Sequence, residues 1–224
     1  MDHSTLNPSA KWKKIFCLIM LFFYFSNISV PLGISVIDTI RDILNILLVI
    51  VMLPDIADEA KKFGDNKKSL LLIPLGAVMI IGLQGILWDS IIMGIIKSAI
   101  GITADNANTT NVTVMIKSSP IFMGFMACIY GPVLEELLYR YTAFGMLYGK
   151  NRLLAFIVPS LVFAFQHVAE AGIWGGDTAQ LINMPSYIIA GLIFAFLYAR
   201  SKNICVPIGA HILTNSFGLL MMLK

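Results

Sequence analysis

A chain of 224 residues that is 58% hydrophobic and only 13% charged, with a mean hydropathy of +0.82, is not composed like a soluble domain. In such domains roughly a quarter of the residues carry charge. The net charge of +3 is spread over separate polar segments and leaves no basic footprint for nucleic acid.

Apolar runs near twenty residues recur along the chain, and each can cross a hydrocarbon core about 30 Å thick. Backbone polar groups in lipid must be bonded internally, which selects helices over the shorter alternating strands of a barrel. The expected fold is therefore all-α: a polytopic transmembrane helical bundle of about seven spans, with six to eight as the range.

The basic start Lys11, Lys13 and Lys14 leads into span one, 15–36. That run is longer than a signal-peptide core and has no convincing small-x-small cleavage site, so it reads as an uncleaved span. Cys17 lies in it; like Cys128 and Cys205 it stands singly among apolar neighbours, with no CxxC, and reads as a small buried hydrophobe. Span two, 40–54, ends at Pro54, and a polar turn follows with Lys61, Lys62, Lys67 and Lys68. Span three covers 69–88, with an amphipathic continuation to 96. An Asn- and Thr-rich polar loop, 97–118, precedes spans four to seven at 120–148, 152–168, 183–199 and 204–222. Short loops at 149–151, 169–182 and 200–203 join these. The chain thus divides into N-terminal spans with a polar loop, 1–119, and a membrane core, 120–224, that carries the motifs below.

Loop lysines and arginines set the expected orientation. With the N-terminus in the cytoplasm, that side holds Lys11, Lys13, Lys14, Lys61, Lys62, Lys67, Lys68, Lys150, Arg152, Arg200 and Lys202. The far side holds Arg41, Lys97, Lys117 and Lys224, eleven against four, and places the chain in the cell membrane as a multi-pass protein. Arg140 is left over, inside span four.

Charges within a span are costly and face a protein interior or a water-filled cavity. Span four reads Gly131-Pro132-Val133-Leu134-Glu135-Glu136-Leu137-Leu138-Tyr139-Arg140. Glu136 and Arg140, four residues apart, share a helix face and can pair, while Glu135 points about 100° away. A purely structural ion pair accounts for Glu136 and Arg140 but leaves Glu135 without a role. Span five ends on Phe163-Ala164-Phe165-Gln166-His167. Counted from the turn at Asn151, Glu135 and His167 stand roughly 24 Å up two antiparallel helices, level with one another. A carboxylate and an imidazole at one level suit acid–base chemistry. Span seven carries His211-Ile212-Leu213-Thr214-Asn215, whose outer two residues share a face. Interhelical hydrogen bonding is the structural alternative for that pair.

In this order, Glu135-Glu136…Arg140, Phe163…His167 and His211…Asn215 resemble the CAAX-protease and bacteriocin-processing (CPBP, or Abi) family of intramembrane proteases. The stretch from Tyr187 to His211 also looks like that family's approach to its last motif. The resemblance covers about 120–218; before that, the spans match only generically. It implies an intramembrane endopeptidase in which Glu135, assisted by His167, activates a water. His211 and Asn215 would donate hydrogen bonds to the oxyanion, and Glu136 with Arg140 would orient the site from behind. No cofactor is favoured. A zinc version would use Glu135, His167 and His211 as ligands, but the helical HExxH arrangement is absent. The implied partner, besides the lipid bilayer, is a peptide or protein substrate entering from the membrane or cytoplasmic side: a bacteriocin-like or signalling peptide, or a CAAX-like C-terminus. The alternative on the same fold is a non-catalytic immunity or scaffold protein, as in bacteriocin self-immunity. A small transporter or proton relay would also need intramembrane ionisable groups, but no inverted repeat of broken helices is visible.

Overall fold

The computed structural model describes residues 11–26, 35–101 and 105–222. Among them are eight helices: α1 Lys11–Ser26, α2 Ser35–Lys61, α3 Lys67–Ile100, α4 Ala107–Ser118, α5 Pro120–Tyr148, α6 Arg152–Trp174, α7 Thr178–Ser201 and α8 Cys205–Met222. The polytopic helical bundle read from hydropathy is what forms. Five helices, α3 and α5–α8, are long and apolar enough to cross a membrane. The two N-terminal segments are helical but fall outside that group. The described part of α1 has 16 residues. In α2 an apolar stretch is flanked by Asp38, Arg41 and Asp42 on one side and Asp55, Asp58 and Glu59 on the other.

Polarity runs inside out relative to a soluble protein. Glu136, Thr142, Arg140 and Ser160 are buried, while Ile86, Leu87, Leu153, Ile157, Phe196 and Leu213 are exposed. An apolar rim around a polar centre suits a lipid solvent, which gives helices no hydrophobic reason to associate. Close packing and internal hydrogen bonds must hold them instead. At Gly191 of α7, an added Cβ would lie 2.9 Å from the Cβ of Ser160 on α6, so the two helices approach at backbone distance. The N-terminal part shares this interior: Cys17, Met20, Leu48, Met52 and Ile80 belong to one buried cluster with Leu134, Phe163, Phe194 and Ala210.

Two loops expected from composition are largely helical. Within 97–118, α3 runs on to Ile100 and stops at Gly101, whose φ of 73° is left-handed. The Asn106 side chain then accepts from Thr109 N at 3.3 Å and starts α4. Low hydropathy hid this helix, because Asn and Thr favour caps and turns in isolation. Within 169–182, α6 continues to Trp174 and a 3₁₀ turn, Thr178–Asn183, opens α7. Only Gly175, Gly176 and Asp177 intervene, with Gly176 at φ 76°. The turn between α5 and α6 is as short as expected, with Asn151 accepting from Leu154 N at 3.0 Å.

Three helices widen to π-helical turns: α3 at Ile80–Ile92, α5 at Met126–Tyr130 and Glu136–Phe144, and α6 at Glu170–Trp174. Such turns mark functional sites often enough to direct attention there. Hydroxyls answer the displaced carbonyls: Thr142 Oγ1 donates to Leu137 O and Ser90 Oγ to Gly85 O, both at 2.8 Å.

Candidate active site

Glu136 is the hub. Its side chain is fully buried on α5, and its Oε1 accepts from Arg140 Nη1 at 3.0 Å, the pair expected from their spacing. The same oxygen lies 3.0 Å from His211 Nδ1 on α8, a contact across 75 residues. Arg140 spends its other arm on the carbonyl of Gly191, Nη2 to O at 3.3 Å. Its guanidinium also lies over the rings of Phe163 and Phe194, 4.6 and 5.0 Å from their centroids. A buried charge with an ion pair, a carbonyl and two aromatic faces is compensated on every side.

That arrangement orients His211. With Glu136 ionised, Nδ1 carries the hydrogen it donates, and the ring lies flat on Phe194, with centroids 4.4 Å apart. Its other nitrogen, Nε2, is turned to Glu135 Oε2 at 3.8 Å. This is longer than a hydrogen bond. Glu135 itself is slightly exposed, with its side chain 14% accessible, and its Oε1 accepts from Tyr24 Oη at 3.4 Å.

His167 is held as firmly. Nδ1 lies 2.8 Å from Phe163 O, one turn back on α6, which makes Nδ1 the donor and leaves Nε2 as the acceptor of the neutral ring. The ring sits between Phe163 and Tyr187, each 4.4 Å away by centroid. Tyr187 Oη is pinned in turn by Asn106 Nδ2 at 3.0 Å and Asn108 Nδ2 at 3.2 Å from α4. Asn215 Nδ2 donates to Ala127 O at 2.9 Å, in the first widened turn of α5, and a second amide hydrogen remains.

Glu135, His167, His211 and Asn215 all line one cavity of about 450 Å³. Glu136 and Arg140 lie behind it, outside the lining, with Glu136 touching His211 and Arg140 paired to Glu136. The six candidate residues therefore form one connected group, although they come from three helices. Glu135, His167 and His211 supply zinc-type donors, yet among the described residues no three His, Cys, Asp or Glu side chains are disposed to hold an ion. Nδ1 of each histidine is engaged, by Phe163 O and by Glu136, and no step below is routed through a metal.

The sequence profile of the Rce1-like, type II CAAX prenyl endopeptidase family matches residues 117–217. "Putative membrane peptidase YdiL" of Bacillus subtilis (strain 168) is 34% identical over 181 residues, covering 80% of this chain and 68% of YdiL. The chain belongs to the Rce1-like CAAX endopeptidase family. "Membrane-embedded CAAX protease MroQ" of Staphylococcus aureus (strain USA300) is 35% identical over 123 residues, which span 52% of this chain and 45% of MroQ. "UPF0177 protein YvdC" of Lactococcus lactis subsp. lactis (strain IL1403) is 28% identical over 145 residues, 65% of this chain and 52% of YvdC. No solved structure gives a significant match. The family resemblance read from the three motifs is thus borne out, and the protein is a membrane protein of a peptidase family.

Several groups at this family site were not singled out from sequence. Tyr24 and Asn106 lie outside the matched stretch, and so do Gln84 and Asp89, which join Ser186 in a hydrogen-bonded row along the cavity: Gln84 Nε2 to Ser186 Oγ at 3.0 Å, and Ser186 Oγ to Asp89 Oδ2 at 3.1 Å. An Asp and a Gln inside the apolar run of α3 were the available signal. Tyr187 stood in a family-like stretch, but nothing local ties a tyrosine to a histidine twenty residues away.

Proposed function

We propose that this chain is an intramembrane endopeptidase that cleaves a peptide bond with a glutamate-activated water. One observation carries the reading: a slightly exposed Glu135 shares a cavity with His167, His211 and Asn215, while the fully buried Glu136 serves only Arg140 and His211. Two adjacent carboxylates in different environments suit two different roles.

In the proposed reaction Glu135, assisted by His167 Nε2, takes a proton from water as its oxygen attacks the scissile carbonyl carbon. The developing oxyanion is received by His211 Nε2–H and the free amide hydrogen of Asn215. Donation from both nitrogens at once, Nδ1 to Glu136 and Nε2 to the oxyanion, uses the imidazolium form of His211. The proton held by Glu135 then passes to the leaving nitrogen, the C–N bond breaks, and a carboxylate and an amine result. Relatives bearing the names membrane peptidase and CAAX protease support a peptide substrate. We assign a bacteriocin-like or signalling peptide, or a CAAX-like C-terminus, as its class.

The orientation proposed is cytoplasmic for the N-terminus and the basic turns, on the eleven-to-four count of lysines and arginines. The test of the chemistry uses detergent-purified protein and a degenerate library of quenched fluorogenic peptides. Wild type cleaves and Glu135→Gln does not. Equal cleavage by both would end the glutamate mechanism. A cellular phenotype of the gene that survives Glu135→Gln would return the protein to the immunity or scaffold reading.

A further inference from the structure

The position of the cavity along the bundle carries an inference about where the substrate comes from; it rests on the peptidase reading and the orientation above. The basic turns gather at one end. Asn203, next to Lys202, donates from Nδ2 to Glu59 O at 2.7 Å, two residues before Lys61. Lys13 pairs with Asp55 at the same end. Arg152 lies over the ring of Tyr148, 5.6 Å from its centroid, which places the α5–α6 turn on itself, and Phe144 packs against Tyr198 of α7 just before Arg200. This end is closed by ion pairs and aromatic packing.

The cavity lies wholly on the other side of that closure. In α3, which leaves the basic end at Lys67, the lining begins at Ile80 and continues through Gln84 to Asp89. In α5, which returns to it at Lys150, the lining stops at Glu135. In α6 and α8, which leave it, the lining starts at Phe163 and His211, and in α7, which returns, it stops at Phe194. Among the described residues none from 61–68, 149–151 or 202–204 takes part. Away from the basic end, the cavity meets α4. Asp89, Asn106 and Thr109 line both it and a second hollow of about 540 Å³, which Lys97, Asp105 and Lys117 border. Asp89 and Thr109 are exposed there. The water path to Glu135 therefore runs past α4, at the end opposite the basic turns.

We infer that the active-site cavity opens on the non-cytoplasmic face, and that the substrate is a peptide whose scissile segment is presented from that side, either exported or carried on the outer part of a membrane-anchored chain. This replaces cytoplasmic access as the expected route. Eleven basic residues cannot be moved to the outer side without opposing the bias that orients spans, and the cavity cannot reach the cytoplasm without breaching the aromatic closure. A channel on that side also matches the polar row Gln84, Ser186, Asp89 and Asn106, which offers hydrogen bonds to an extended peptide backbone along the way in.

Single cysteines test the geometry independently of catalysis. In a Cys17→Ala, Cys128→Ala, Cys205→Ala background, one cysteine is placed at Asp65 in the basic turn, at Thr109 on the mouth, or at Gly218 on the cavity wall. At Gly218 an added Cβ meets nothing within 4 Å. A small membrane-impermeant cationic thiosulfonate is then added to intact cells. Residues 109 and 218 are expected to react from outside, and residue 65 only after permeabilisation. Reaction of 65 from outside with 109 silent overturns the inference, and so does a residue 218 that reacts only from the cytoplasmic side. The peptide library is next offered to right-side-out and inverted vesicles of the unaltered protein. Cleavage by right-side-out vesicles alone is expected; cleavage by inverted vesicles alone refutes the access route. Absence of cleavage in detergent as well would refute the peptidase reading, while the thiol pattern would still decide the side of the mouth.

Discussion

The two ends of this bundle use the same kind of helix for opposite purposes. Toward the basic turns, Phe144 packs on Tyr148, Phe156 and Tyr198, and the ion pairs Lys13–Asp55 and Lys62–Glu59 tie the surface. Toward α4, α3 widens at Ile80–Ile92 and α5 at Met126–Tyr130, Ser90 Oγ serves a displaced carbonyl, and a cavity of about 450 Å³ lies open. The first end is filled with aromatic volume. The second keeps polar groups apart at distances such as the 3.8 Å between His211 Nε2 and Glu135 Oε2. Filled packing and open polar space are thus separated along the bundle, with Glu136 and Arg140 at the boundary.

That boundary gives the largest expected effects. Glu135→Gln should lower cleavage by about 10²–10⁴ while leaving the yield and thermal midpoint of the purified protein near normal, since that is what general-base catalysis is worth and the side chain carries little packing. Glu136→Gln should do the reverse first. It leaves Arg140 as an unpaired buried charge, at a cost of about 3–5 kcal/mol, and should lower abundance and the thermal midpoint sharply. Identical behaviour of the two variants in both assays would erase the division between the two carboxylates.

A smaller effect is expected at Asn215→Ala. Losing one donor to developing charge lowers kcat by about 10²–10³ with KM little changed, so the variant should be slow rather than dead. A KM rise at constant kcat would make Asn215 a substrate-binding group instead. Smaller again is Tyr187→Phe, which keeps the ring on His167 but releases Asn106 and Asn108. Looser alignment of the histidine should reduce kcat about tenfold, whereas Tyr187→Leu, which also removes the stacked face, should cost about a hundredfold. Equal kcat in all three proteins would show that His167 is aligned by Phe163 alone. At the bottom of the scale is Asp58→Ala. Its ion pair with Lys61 is exposed on both sides, so neither activity nor the thermal midpoint should move measurably. A clear loss there would mean that the basic end does more than close the bundle.

Much was legible before any coordinates. Hydropathy alone requires helices in lipid, the short turn at 149–151 requires α5 and α6 to run antiparallel, and a spacing of four residues is enough to pair Glu136 with Arg140. The motif residues His167, His211 and Asn215 could be named because ionisable or amide groups in apolar runs are rare. These are local properties, carried by helical periodicity and by the cost of burying polar atoms. The rest depends on where helices distant in sequence come to lie. The bond between His211 and Glu136 spans 75 residues, and the one between Tyr24 and Glu135 spans 111. The clamp of Tyr187 on His167 exists only because α4, hidden in a polar stretch that hydropathy passes over, lies across the top of the cavity. Which end of the bundle is filled and which is open follows from side-chain volumes meeting across four or five helices at once, and no periodicity along one chain segment encodes that sum.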